Sequence, residues 1–273
     1  MAEVVCREPS SLWGGGGRPF AGVGLPPFEE EFEIFVRPRE RADEDELVRL
    51  TPSELSQGVD VSSLLPVRNV HRGWAHQRGR VTLMPLHHLP GEARVCESRF
   101  EAVRILELVF RQEVTDIATQ PMRVHRLGDS GSGEVPDLLY ETVDGELVLE
   151  NVRPVEKRDE AFMRSCERLS RFAKEVGWTF VVSGESVEEF GETIEYLSCY
   201  ARVPVQRDLR QRVQRAFRER RVWPFAELLE ACAEDDPVAH ASLMAMMWRR
   251  ELTFSLRDGI HPGALLTLRT VSA

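Results

Sequence analysis

Between Ser98 and Tyr200 the apolar positions change period repeatedly, from helical spacing to strand spacing and back. Phe100, Val103, Leu106, Val109 and Phe110 form a stripe at helical spacing with Glu101 and Arg104 beside it, which predicts a helix opening at Ser98. Residues 114–117 and 122–124 read as extended segments around Gln120-Pro121. Residues 135–140 and 146–152 read as two strands joined at Asp144-Gly145, a strong hairpin signal. A helix over 156–176 follows and stops at Gly177, the residue type best able to take the left-handed conformation that ends a helix. Residues 178–182 return as a buried strand and 187–200 as a further helix. The fold class this succession predicts is α/β.

The flanks carry different patterns. Residues 1–27 hold a glycine run at 14–17 and several prolines, the composition of a flexible arm. Residues 32–36 predict a short strand, and Pro52 after Thr51 marks a helix start or turn. The stretch 67–89 is irregular and basic, at Arg68, Arg72, Arg78 and Arg80, with a strand over 81–86, and residues 129–133 form a loop. After Pro204, three helices are predicted at 209–221, 224–233 and 238–249, then two short strands at 252–256 and 265–268. The expected organisation is a partly disordered extension over 1–66, a core domain over 67–203 and a C-terminal domain over 204–273, the last of a size able to fold alone. Leu243, Met244, Met246, Met247 and Trp248 read as core, because methionine fills irregular interiors.

Composition narrows the class. At 273 residues, 42% apolar and 29% charged, the chain is expected to fold as one large or two ordinary globular domains. No apolar run reaches the ~20 residues of a membrane span and the first residues lack a signal-peptide pattern, so a cytoplasmic location without membrane partners is expected. Five cysteines stand singly, as reduced thiols do, and His71, His87 and His88 lack metal-ligand spacing. A net charge of -10 is wrong for a protein that coats DNA by neutralising phosphates, although residues 207–221 hold seven arginines against Asp208 and Glu219. Those arginines fall around much of a helix, which favours an ordinary solvated surface. The cations are lopsided, 33 arginines against Lys157 and Lys174.

The candidate chemistry lies in the core. Glu101 on the helix and Asp137 at the start of a strand supply the hard oxygen ligands that a divalent cation needs beside a phosphodiester. A third ligand falls at Asn151 and a cation at Arg153, which alternation places on one strand face, whereas a bulge or one-residue shift offers Glu150 instead. Glu101 has a second reading, because it stands three residues after Ser98 and fits a helix capping box. Asn151 contributes a neutral carbonyl oxygen and no charge, and Arg153 cannot act as a base. No glycine-rich phosphate loop or nucleophile arrangement competes with this site.

These blocks together resemble a known family. Residues 96–101 (Cys-Glu-Ser-Arg-Phe-Glu), Val114 to Ile117 with Gln120-Pro121, Pro136-Asp137 and Asn151-Val152-Arg153-Pro154 look like successive blocks of the TnsA-type heteromeric transposase endonuclease subunit. The stretch 172–178 and Ile194 to Leu197 are similar to it as well. The resemblance covers about half the chain and rests on block order and spacing, since no single block is specific. It implies a restriction-endonuclease-like PD-(D/E)XK core that cuts double-stranded DNA at transposon ends beside a DDE transposase, with an ATPase regulator as a further partner. In that pattern Glu101, Asp137 and Asn151 would hold Mg²⁺ or Mn²⁺, and Arg153 would stand at the lysine position. The C-terminal helices and strand pair are expected to form a winged-helix-like domain. Two functions follow from the departures at Asn151 and Arg153: an active endonuclease subunit, or an inactive subunit that binds DNA or a transposase partner.

Overall fold

A computed structural model describes residues 5–6, 18–19, 32–41, 47–68, 82–85, 93–127, 131–184, 186–233 and 236–269. Most of the expected arm over 1–27, the arginines at 72, 78 and 80, the three histidines at 71, 87 and 88, and residues 129–130 lie outside them. Among the described residues the fold is mixed α/β, with several sheets and seven α-helices. Contacts divide the chain into two units, one of residues 1–105 and 112–186, the other of 106–111 and 187–273.

In the first unit the strands are β1 (Val5–Cys6), β2 (Arg18–Pro19), β3 (Phe32–Pro38) and β4 (Val48–Leu50), followed by the short helix α1 (Pro52–Ser56) and strands β5 (Leu64–Leu65), β6 (Thr82–Pro85) and β7 (Ala93–Cys96). Helix α2 (Arg99–Arg111) begins there, and β8 (Val114–Thr119), β9 (Met122–Arg126), β10 (Leu138–Thr142), β11 (Leu147–Val152), α3 (Glu160–Glu175) and β12 (Thr179–Ser183) complete it. The main sheet has the order β2-β1-β12-β11-β10-β8. Strands β8, β10 and β11 run antiparallel in turn, while β12 returns parallel to β11 after α3. The hairpin at Asp144-Gly145 forms as its sequence requires, with Gly145 at φ +81°.

Alternation along β11 sorts its side chains to two faces. Leu149, paired with Leu139 of β10, joins a core with Phe162, Leu169 and Phe172 of α3. Phe172 is fully buried and meets Phe32 and Trp178 edge-on, at centroid distances of 5.7 and 6.0 Å. Phe32, Ile34, Val36, Leu55, Val61 and Leu64 belong to the same core, and β3 pairs with β9. Residues 32–41 and 47–65 are therefore built into this unit rather than appended to it. Helix α3 starts later than the apolar pattern predicts, because the Asp159 side chain accepts the Phe162 N–H at 2.8 Å and fixes the first turn at Glu160.

In the second unit, α4 (Ser186–Ser198), α5 (Arg207–Glu219), β13 (Val222–Pro224), α6 (Phe225–Ala233), α7 (Ala239–Trp248), β14 (Leu252–Thr253) and β15 (Leu265–Leu268) follow in order. Strand β13 is an addition to the sequence reading; it pairs with β15 in a small sheet of order β13-β15-β14. Helix α7 is buried from Ser242 through Trp248, as a helix apolar on all sides must be. Arg249 donates to the Val203 carbonyl at 2.7 Å and the Ser242 hydroxyl to Pro204 at 3.4 Å. These bonds tie residues 203–204 to α7, so contacts place the division before α4 rather than at Pro204.

Candidate functional site

All of the site residues expected from the sequence lie in the first unit. Glu101 sits in the first turn of α2 and is buried. Its Oε1 accepts the Ser98 hydroxyl at 2.8 Å, its Oε2 accepts the Glu97 N–H at 2.9 Å, and its own N–H donates to Ser98 Oγ at 3.2 Å. The capping reading of this residue is thus real. It does not exhaust the carboxylate, since each oxygen carries more than one acceptor position.

Asp137 stands just before β10. Its Oδ2 accepts the Val152 N–H at 2.7 Å, and its N–H donates to Asn151 Oδ1 at 3.3 Å, so the start of β10 and the end of β11 are clamped side chain to backbone. Among the described residues no hydrogen bond reaches Oδ1. Desolvation, then the nearby negative charge of Glu101, pushes the Asp137 carboxyl up to about 8, with the Arg68 charge and the Val152 bond acting the other way. Glu101 is also raised, mainly by burial. Two carboxyl groups are therefore crowded where ionising both costs free energy, a situation that a divalent cation relieves.

The remaining positions separate. Asn151 is buried on the α3 side; its amide nitrogen faces Cys166 Sγ at 3.7 Å and its oxygen is held by the Asp137 N–H. Glu150 turns to the α2 side and is fully buried, where Arg104 donates to both its oxygens at 2.7 and 3.3 Å and the Ser183 hydroxyl donates to one. Its charge is already met, as a buried carboxylate requires. The Arg153 guanidinium lies 5.0 Å over the Phe162 ring, and the Arg153 backbone N–H donates to the Ser183 carbonyl at 2.6 Å. Behind this point Gly184 is at φ +147°, and a Cβ there would stand 2.5 Å from the Arg153 carbonyl oxygen.

Structure thus brings Glu101 to Asp137 and Asp137 to Asn151, while Arg153 stacks on α3. It adds two residues. Arg68 pairs with Glu97 at 2.8 Å, and the charges of both act on Glu101 and on Asp137. Glu97 had a local signal, standing next to Ser98; Arg68 lies 29 residues before Glu97, where no periodicity links it to the helix. Among the described residues no three His, Cys, Asp or Glu side chains form a metal cage. Glu101 and Asp137 are the two acids that could hold a divalent cation, which in this mode would use one or two carboxylates and keep bound waters, and the Asn151 oxygen accepts the Asp137 N–H. No family model matches the chain and no curated protein matches it.

Proposed function

We propose that the first unit is a restriction-endonuclease-like centre that hydrolyses DNA phosphodiesters with Mg²⁺ or Mn²⁺ held by Glu101 and Asp137. The observation that carries this reading is the pair of crowded carboxyl groups, one from the first turn of α2 and one from the start of β10. The element run α2, β8, β10, β11, α3, β12, with strands adjacent in the order β8-β10-β11-β12, supports the fold side of it. When bound, the cation polarises a phosphoryl oxygen and acidifies a water. The chain's own part is to hold the ligands: Ser98 and the Glu97 N–H orient Glu101, and Asn151 and the Val152 N–H orient Asp137. Work at transposon ends beside a DDE transposase and an ATPase regulator rests on the sequence blocks that resemble TnsA-type subunits.

The second unit supports a winged-helix-like reading through its run α5-β13-α6-α7-β14-β15 and sheet order β13-β15-β14. The third helix of that run, α7, is buried from Ser242 through Trp248 and carries no lysine or arginine, so it offers no cation for reading bases. A second functional reading, an inactive nuclease fold that grips DNA or a partner, draws on the commitment of Asn151 to a backbone N–H and of Arg153 to Phe162.

Calorimetric titration with Mn²⁺ separates the two, because metal uptake does not need a transposase. Wild type is expected to bind one ion and Asp137→Ala to lose at least about tenfold in affinity, as loss of a charged ligand from a two-carboxylate site should. Absence of uptake by the wild type would leave the inactive reading.

A further inference from the structure

Arg153 fills the expected cation position in sequence but stacks on Phe162, so the centre needs its positive charge from elsewhere. A chain of backbone hydrogen bonds points to the source. The Gln120 N–H donates to the Asp137 carbonyl at 2.8 Å, and the Gln120 carbonyl accepts the Val67 N–H at 2.9 Å. Gln120 holds a left-handed backbone, φ +46°, and is completely buried, so this relay runs through a fixed bend. It ties the backbone at Val67 to that at Asp137, and with it the residue that follows Val67, although the two lie far apart in sequence. That residue is Arg68.

We infer that Arg68 is the phosphate-contacting cation of the centre, held in place by Glu97 and by the Asp137–Gln120–Val67 relay; the inference rests on the nuclease reading above. The Arg68 Nη1 donates to Glu97 Oε2 at 2.8 Å, and the Glu97 N–H donates to Glu101 Oε2 at 2.9 Å, so the cation is joined to the metal-ligand candidate through one residue. Its side chain is 42% exposed, which leaves guanidinium donors open to a ligand. A guanidinium can hold phosphate oxygens with two parallel N–H donors, and it does so without a proton step. Charge balance requires such a group. Glu97, Glu101 and Asp137 together repel a phosphodiester, and Arg68 with one divalent cation neutralises the three. Arg68 also favours ionisation of Glu101 and Asp137. Lys157, 5.5 Å over the Phe100 ring, is a cation near α2 with no such relay and serves as the comparison.

The test is fluorescence anisotropy of the full chain with a random-sequence 30-base-pair duplex, in Ca²⁺ and over a salt series. Wild type, Arg68→Ala, Arg68→Lys and Lys157→Ala are compared. Arg68→Ala is expected to weaken binding about tenfold and to lower the salt slope by about one. Arg68→Lys should restore the slope but not the full affinity, since it keeps the charge and loses the fork, and Lys157→Ala should bind as wild type does. Unchanged affinity and slope in Arg68→Ala, an equal loss in Lys157→Ala, or no duplex binding by the wild type each overturns the inference. Mn²⁺ calorimetry on Arg68→Ala distinguishes failure of the inference from failure of the nuclease reading. Retained uptake with unchanged DNA binding removes Arg68 alone, whereas loss of uptake in the wild type removes the metal centre.

Discussion

The Asp137 carboxyl sets the clearest expectation at the residue scale. An unfolded aspartate ionises near 3.8, while in the metal-free fold this one keeps its proton up to about 8. Across that window the folded state binds more protons than the unfolded state, so this group makes stability fall as pH rises. Glu101, raised by burial, acts in the same direction. In urea titrations between pH 5 and 8, Asp137→Asn should remove up to one proton's worth of that slope, about 1.4 kcal/mol per pH unit at the ceiling. Metal reverses the balance because it needs the ionised form. Mn²⁺ affinity should therefore rise with pH until about 8 and then level off, with proton release measured by calorimetry in buffers of different ionisation enthalpy. A flat profile would mean that Asp137 is not a ligand. Asn151 and Glu150 show how little of this was readable locally: alternation assigned them to opposite faces, but the Arg104 and Cys166 contacts that define those faces come from two different helices.

Helix α5 decides between two meanings of an arginine-rich stretch. Leu209, Val213 and Ala216 form its buried side. Arg210 is engaged by Glu251 at 2.8 and 2.9 Å, and Arg212 by Asp208 at 3.2 Å. Arg207, Gln211, Gln214, Arg215 and Arg218 are exposed and, at spacings of four, seven, eight and eleven residues, share the side opposite the apolar one. The sequence reading of arginines spread around the helix is thus refined, since of those off this stripe Arg210 is paired with Glu251 from beyond α7 and Arg212 with Asp208 one turn earlier on the helix itself. A stripe of this kind suits a phosphate backbone. Replacing Arg207, Arg215 and Arg218 together with Gln should lower the salt slope of duplex binding by roughly one per arginine that contacts DNA, without changing Mn²⁺ uptake. An unchanged slope would leave α5 as a solvated surface.

At the scale of the whole molecule, stability of the first unit depends on the layer where α3, the main sheet and β3 meet. Phe172→Ala removes the ring that both Phe32 and Trp178 pack against, and should cost about 3–5 kcal/mol in urea unfolding. A loss below about 1 kcal/mol would mean that Phe32 and β3 do not share this core. The helices, the β10–β11 hairpin and the Ser98–Glu101 capping at the start of α2 were legible along the chain, because periodicity, capping and turn chemistry act over a few residues. No helix among the described residues is long and apolar enough to cross a membrane. Long-range packing, by contrast, brings residues 32–41 and 47–65 into the core unit, pairs β13 with β15, gives Glu150 to Arg104, and sets Arg68 on Glu97 while Arg153 turns to Phe162. Each of those depends on hydrogen bonds or packing between segments remote along the chain, and no local pattern of apolar and polar residues records such partners.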